Sequence, residues 1–277
     1  MTSEGDFCVR FWGVRGSIAC PGPDTVKYGG NTPCVEMRCG GRVVIFDAGT
    51  GLRELGYWLA RNGDREADLF LSHTHIDHIT GLPFFCFAFD PKNTLRVRAG
   101  HLAPDNTIEG VLRSFMSAPL FPVPVDIFNA QVTFEDFRAG ETFDLGDGIT
   151  VRTTPLDHPD RATGYRVEYA GKAICYITDT QRDPEAIDQG IVDLVTGADL
   201  VIYDAMFTDE EFGAYHDWGH STWQECLRVC RAAGVTTPVI FHHLPGRDDA
   251  AMDDIQAAAE REFAGAVVAR EGLVLTP

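Results

Sequence analysis

Short apolar runs recur along this chain, and several of them run out into a histidine or an acid. Ala67 to Leu71, Ile149 to Thr154, Lys172 to Thr178, Leu200 to Ile202 and Val239 to Phe241 have the compact apolar look of buried strands. Strands are expected through residue 47, followed by a helix from about Leu52 to Arg61, the strand at Ala67 to Leu71, and a mixed insertion to about 145. Strands dominate again to 178, after which helices at about 183 to 194, 221 to 233 and 248 to 264 alternate with strands near 200 and 239. Two mixed β-sheets with helices outside accommodate that order, an α/β (α+β) chain arranged as a four-layered αββα sandwich. The 277 residues suit one such core, no Pro/Gly/Ser linker divides them, and no solenoid-like repeat is visible, so residues 1–277 read as a single domain.

The run at Ala67 to Leu71 leads into Ser72-His73-Thr74-His75-Ile76-Asp77-His78, three imidazoles and a carboxylate within six positions. Alternate residues of an extended chain share a face, so His73 and His75 project the same way. Asp77 and His78 fall where the chain must turn, and can face a second metal. Neutral imidazole and carboxylate suit zinc, manganese or iron at a hydrolytic centre, whereas a soft or structural site would recruit thiolates, and no cysteine lies in the cluster. Further donors appear at other strand ends: His158, Asp179 and the adjacent His242 and His243.

With Phe11-Trp12-Gly13, Phe46-Asp47-Ala48-Gly49-Thr50-Gly51 and the turn Thr178-Asp179-Thr180, this motif set resembles the metallo-β-lactamase fold superfamily of hydrolases. Within it the chain looks most like the branch holding RNase Z and the phosphoribosyl cyclic-phosphate phosphodiesterases. The resemblance implies one metal held by His73, His75 and His158, another by Asp77, His78 and His242, and Asp179 bridging. Two divalent ions are thus expected, zinc first, with manganese or iron as alternatives. Asp47 matches an acidic motif that orients ligand imidazoles from behind. His243 stays open as the alternative to His242, because a shift of one residue reverses side-chain direction.

In the phosphodiesterase branch a carboxylate and a histidine pair so that the imidazole can protonate the leaving oxygen, and Asp204 and His220 fit those positions, with Asp in place of the more usual Glu. The mechanism implied is attack by hydroxide generated at the metal pair, with Asp77 also accepting a proton from the shared water. The glycine-rich stretches around Arg15 and Asn31 read as a local anion site, giving Arg15, Asn31 and His243 as substrate contacts. They read equally well as tight turns with Arg15 paired to an acid.

Only twenty residues lie between His158 and Asp179, too few for the long arm with which RNase Z relatives grip tRNA. The net charge of −18 points the same way, since a polyanion-binding surface is generally basic. The expected partner is therefore a small phosphodiester, a cyclic nucleotide or cyclic sugar phosphate, with long nucleic acid excluded. A lactonase or thioesterase is the second reading, because the same nucleophile attacks carbonyls, and a nucleotide-binding module without turnover is the third. The apolar, proline-stiffened segment from Phe115 to Val125 reads as a core cover or dimer contact, with walling the pocket or stacking a base as other readings. Eight scattered cysteines without a CxxC pair read as reduced thiols, and Thr2 to Asp6 has no apolar signal core. A cytoplasmic protein without membrane contact is expected, with a homodimer implied by the resemblance alone.

Overall fold

A computed structural model describes residues 7–277 except 182, 184 and 185; the polar stretch Thr2 to Asp6 lies outside the described residues. Strands Phe7–Gly13 (β1), Cys34–Cys39 (β2), Arg42–Phe46 (β3), Glu66–Leu71 (β4), Thr94–Ala99 (β5) and Gln131–Asp136 (β6) build the first sheet. Thr142–Gly146 (β7), Ile149–Leu156 (β8), Ala162–Tyr169 (β9), Lys172–Ile177 (β10), Leu200–Asp204 (β11), Thr237–Phe241 (β12) and Val267–Val268 (β13) build the second. The closing strand Val274–Leu275 (β14) returns to pair with β1 at the edge of the first sheet. Helices are Leu52–Asn62 (α1), Ile76–Ile79 (α2), Ile108–Phe115 (α3), Gln189–Val195 (α4), Asp209–Phe212 (α5), Trp223–Ala232 (α6) and Asp249–Glu262 (α7).

Three apolar layers account for the sandwich. Between the sheets, Phe11, Val35, Val44, Phe46 and Phe70 meet Val151, Tyr165, Tyr176, Ile202 and Phe241. Outside the first sheet, Leu52, Leu55 and Leu59 of α1 and Ile108 and Leu112 of α3 cover Val43, Ile45, Leu69 and Val97. Outside the second, α4, α6 and α7 bring Leu194, Leu227, Val229 and Ile255 against Cys175, Val201 and Ile240. Each helix presents one stripe to a sheet whose two faces are both buried, and for this reason the strands read as unbroken apolar runs. The αββα expectation therefore holds.

Two sequence expectations change in detail. The helix expected from about 183 begins at Gln189, because the Asp188 side chain accepts from the Ile191 amide and caps it there. The mixed insertion resolves into α2, β5, α3 and β6, with β3, β4, β5 and β6 mutually parallel. In the second sheet β10, β11, β12 and β13 run parallel. β8 pairs with β9 and β9 with β10, both antiparallel, so β8 also shares their direction. The C-terminal strand ends thus gather along one edge, where open α/β sheets place their ligands.

The loop after β3 fixes that edge. Ala48 donates to the His78 carbonyl at 2.7 Å, Gly81 donates to the Ala48 carbonyl at 2.8 Å, and Gly49 donates to the Pro33 carbonyl at 2.8 Å. A Cβ at Gly81 would sit 1.9 Å from the Gly49 oxygen, so only glycine lets these backbones touch. Among the described residues no helix is long and apolar enough to cross a membrane.

Phe46 stacks on Phe70 with centroids 5.8 Å apart and meets Tyr165 and Tyr176 at 5.1 and 5.5 Å, pinning one sheet to the other. Phe46→Ala is expected to lower the free energy of unfolding by about 3–5 kcal/mol, read as a lower urea midpoint; a change below about 1 kcal/mol would mean the intersheet cluster repacks.

Candidate metal centre

Three strand ends turn their next side chain into the same space by adopting left-handed backbone. Asp47 follows β3 with φ 62°, Asp179 follows β10 by two residues with φ 54°, and His242 follows β12 with φ 61°. For residues other than glycine this conformation costs about 1–2 kcal/mol each, and such strain collects at functional sites. Nothing in the sequence marks it.

These turns bring the expected donors together. The Asp179 carboxylate divides between two groups. Its Oδ1 lies 3.8 Å from His73 Nε2 and 3.9 Å from His158 Nε2, while its Oδ2 lies 3.2 Å from His78 Nε2 and 3.3 Å from His242 Nε2. Asp77 Oδ2 stands 3.2 Å from His78 Nε2 and 3.4 Å from His242 Nε2. His73, His75 and His158 form one possible ligand cluster, Asp77, His78 and His242 a second, and Asp179 reaches His73 and His78 in a third.

The outward nitrogens of His73, His75, His78 and His158 are occupied, which leaves their inward ones with lone pairs, whereas His242 has both ring nitrogens buried without a partner. His78 Nδ1–H donates to Asp47 at 2.8 Å, and His158 Nδ1–H donates to the Gly219 carbonyl at 2.8 Å. His73 Nδ1 sits 3.0 Å from the Ser72 hydroxyl, which in turn donates to Asp47. His75 is turned the other way. Its Nε2–H donates to Asp160 at 3.0 Å, so Nδ1 is the inward atom, 3.2 Å from His158 Nε2. The inward Nε2 atoms of His73, His78 and His242 are buried without a hydrogen-bond partner. Unpaired buried nitrogens are costly, and their convergence on two carboxylates fits divalent cations.

Asp47 is the anchor behind this set. Fully buried, it also accepts from the Ser72 amide at 2.7 Å and from the Tyr176 hydroxyl at 2.7 Å. Burial pushes His73 and His158 below the usual imidazole range, toward the neutral form a ligand needs. On His78 burial works in the same direction, but Asp77, Asp179 and Asp47 outweigh it and raise its affinity for a proton. Burial would likewise raise Asp179, yet His242, His78 and His73 hold it far below the carboxylate range, as His78 does for Asp77.

His220 Nδ1–H donates to Asp204 Oδ2 at 3.0 Å beside this cluster. Burial disfavours its charge, but Asp204 prevails and its pKa is pushed up to about 9 with these protein neighbours alone. Thr222 caps α6, so His220 precedes the helix. The Asp204 carboxylate also accepts from the Thr180 and Met206 amides, both at 3.2 Å.

Of the adjacent pair, His242 faces the cluster and His243 faces away. The His243 backbone bridges to Arg15, and its Nε2–H donates to the Ala269 carbonyl at 2.8 Å, its pKa depressed to about 3 by burial. The substrate roles expected for Arg15, Asn31 and His243 find no support in this placement. Arg15 is fully buried and donates to the carbonyls of Gly29, Leu244 and Arg247, while Asn31 is bound to Glu271 and Thr50. These three tie loops together, because burial leaves Arg15 and His243 no access to a ligand. Sequence reading also missed Ser72, Tyr176 and Asp160. Asp160 lies two positions beyond a predicted ligand and could have been flagged, whereas Tyr176 looks like any strand aromatic. His101, although close to His73, bonds Thr74 and is pushed down to about 4 by burial.

An αββα sandwich with imidazole and carboxylate donors turned inward along one edge is the hallmark of the metallo-β-lactamase fold, and the molecule is a metal-dependent hydrolase of that kind. The chain belongs to the family described as "Beta-lactamase superfamily domain", whose sequence model spans residues 42–243. It is 27% identical to Ribonuclease Z of Mycobacterium marinum, covering 89% of this chain and 91% of that protein. Among solved structures it resembles the metallo-β-lactamase fold protein YhfI of Bacillus subtilis, with TM-score 0.73, 18% identity, and 98% and 99% of the two chains covered. The short form of human tRNase Z aligns with TM-score 0.67 and 21% identity over 97% and 98%.

Those relatives correct one expectation. Long nucleic acid was excluded on net charge and on the short span from His158 to Asp179, yet relatives matched over most of their length are ribonucleases, enzymes named for acting on RNA. Net charge sums the whole surface, while a phosphate is met locally, so −18 does not forbid an RNA substrate.

Because Asp160 is 84% exposed in its side chain yet fixes the tautomer of His75, its removal should act on metal and spare the fold. Asp160→Ala is expected to weaken one cobalt-binding step by about 10- to 100-fold, measured by titrating the visible cobalt bands, with the urea midpoint unchanged. Unaltered cobalt affinity would remove Asp160 from this role.

Proposed function

We propose that this protein is a two-metal phosphodiesterase, acting on phosphodiester bonds of the kind found in RNA. The observation that carries this reading is the Asp204–His220 pair at 3.0 Å, set directly beside the two-part donor cluster, with His220 Nδ1 3.7 Å from Asp179. A thioester hydrolase has less use for a proton donor placed there, because a thiolate departs readily without protonation. The similarity to ribonuclease Z sequences supports the same bond type. Eight unpaired cysteines are in keeping with a cytoplasmic setting.

His73, His75 and His158 would hold one cation, Asp77, His78 and His242 the other, and Asp179 would offer one oxygen to each. When bound, two such ions supply a hydroxide nucleophile near neutral pH and offset charge on the phosphoryl oxygens. Asp77 Oδ2, which accepts from the Ser17 amide at 2.8 Å, is fixed in place as a proton acceptor near the nucleophile. Asp204 holds the Nδ1–H of His220, which keeps a proton on that ring and leaves Nε2 to deliver one to the departing oxygen. Gly219 links this donor to the ligands. Its carbonyl accepts from His158, and a Cβ added there would fall 2.4 Å from His158 Nδ1.

The test compares metal-loaded wild type, Asp179→Ala and His220→Ala on bis(p-nitrophenyl) phosphate, a short RNA, a lactone and a thioester. Cleavage of the phosphodiesters alone is expected, abolished in Asp179→Ala together with loss of bound metal. His220→Ala should lower kcat on RNA by about 10²- to 10⁴-fold and far less on the p-nitrophenyl ester, whose leaving group needs no proton. Turnover of only the carbonyl substrates, indifferent to His220, would replace this reading with a lactonase or thioesterase.

A further inference from the structure

Of the four tryptophans, Trp12 and Trp58 are half-buried against each other and Trp223 is buried, while Trp218 is 60% exposed. An indole is the largest apolar side chain, and leaving one in water forgoes its burial. The loop that carries it is nonetheless firmly built. Phe207 pairs its backbone with residues 221 and 223, Tyr215 stacks on Phe207 with centroids 4.6 Å apart, and Trp218 meets Tyr215 edge-on at 5.1 Å. The Trp218 amide donates to the Tyr215 carbonyl, and the next residue, Gly219, takes φ 80° and receives the His158 imidazole. The indole is thus a rigid fixture one residue from a contact of a ligand histidine and two from His220. Ile76, which lies between the donors His75 and Asp77, is likewise 66% exposed.

The charge around Trp218 indicates what it meets. Residues 209 to 217 carry Asp209, Glu210, Glu211 and Asp217 and no Lys or Arg; Asp209 is paired with Arg228 and Glu211 with Arg247, while Asp217 beside the indole is almost fully exposed. Asp217 next to the indole gives a phosphate no attractive partner there, whereas an aromatic face tolerates any base, since every base has a π-face. We propose that Trp218 is a stacking platform for the nucleobase attached to the scissile phosphodiester. The substrate is then a nucleotide diester gripped by its base on this side and by its phosphate at the metal centre. This rests on the phosphodiesterase reading and extends it to the substrate's recognition.

The test uses the full chain loaded with metal, as wild type, Trp218→Phe and Trp218→Ala. Two diesters share a leaving group and differ in the base, thymidine 5′-(p-nitrophenyl phosphate) and methyl p-nitrophenyl phosphate. The ratio of their kcat/KM values should fall by about 5- to 150-fold in Trp218→Ala, through KM on the thymidine ester, with Trp218→Phe retaining most of the preference. Thymidine 5′-monophosphate should quench an indole emission that Trp218→Phe lacks. An unchanged ratio and unchanged quenching overturn the platform, as does a Trp218→Ala protein that keeps the ratio but sediments as a smaller species, which would make Trp218 a contact with a second copy. Wild type that cleaves neither diester defeats the phosphodiesterase reading instead, and the quenching then decides separately whether a base stacks on Trp218.

Discussion

The buried carboxylate of Asp47 is the interaction on which the site depends. Its two oxygens accept from the Ser72 amide and hydroxyl, His78 and Tyr176, so one charge joins the end of β3, the end of β4, α2 and the opposite sheet. A carboxylate taken out of water needs such a set of donors to be tolerated at all. Once satisfied, it fixes which nitrogen of His78 carries the proton and, through Ser72, fixes His73 as well. These two donor imidazoles are pre-oriented by bonds that face away from the cluster.

The sandwich makes this possible. Strand direction collects the ends of β3, β4, β8, β10, β11 and β12 on one edge, and residues just beyond each end project into the gap between sheets. Left-handed backbone at Asp47, Asp179 and His242 completes the turn. Glycines at 49 and 81 allow the β3 loop to lie directly on α2. Cross-sheet bonds, such as the Tyr165 hydroxyl to the Leu71 carbonyl at 2.6 Å, keep the two halves in register. Strain and close backbone approach are concentrated at the edge where chemistry would occur, and the aromatic layer beneath supplies the stability to sustain them.

The chain as a whole carries a net charge of −18, and that acidity does not settle the substrate. The positive charge that meets a phosphate in such an enzyme sits at the metal positions, not on the surrounding surface. A substrate can then be held by an apolar contact beside the centre, a role for which the exposed and well-buttressed Trp218 is suited.

Sequence alone determined the layered fold and the positions of most strands, and it singled out His73, His75, Asp77, His78, His158 and Asp179, which the fold brings together, because burial writes apolar runs and these are polar residues that end them. Asp204 and His220 were legible as a pair for the same reason, lying just outside elements of clear pattern. Tertiary structure decided the rest. It selected His242 over His243, since a single left-handed residue reverses which neighbour faces inward, and local sequence does not encode that φ. It turned Arg15 and Asn31 into loop ties, since whether a polar group meets ligand or backbone depends on what packs over it. It also revealed Asp160, Ser72 and Tyr176 as orienting partners, contacts made across long stretches of chain whose closure only the folded sheets bring about.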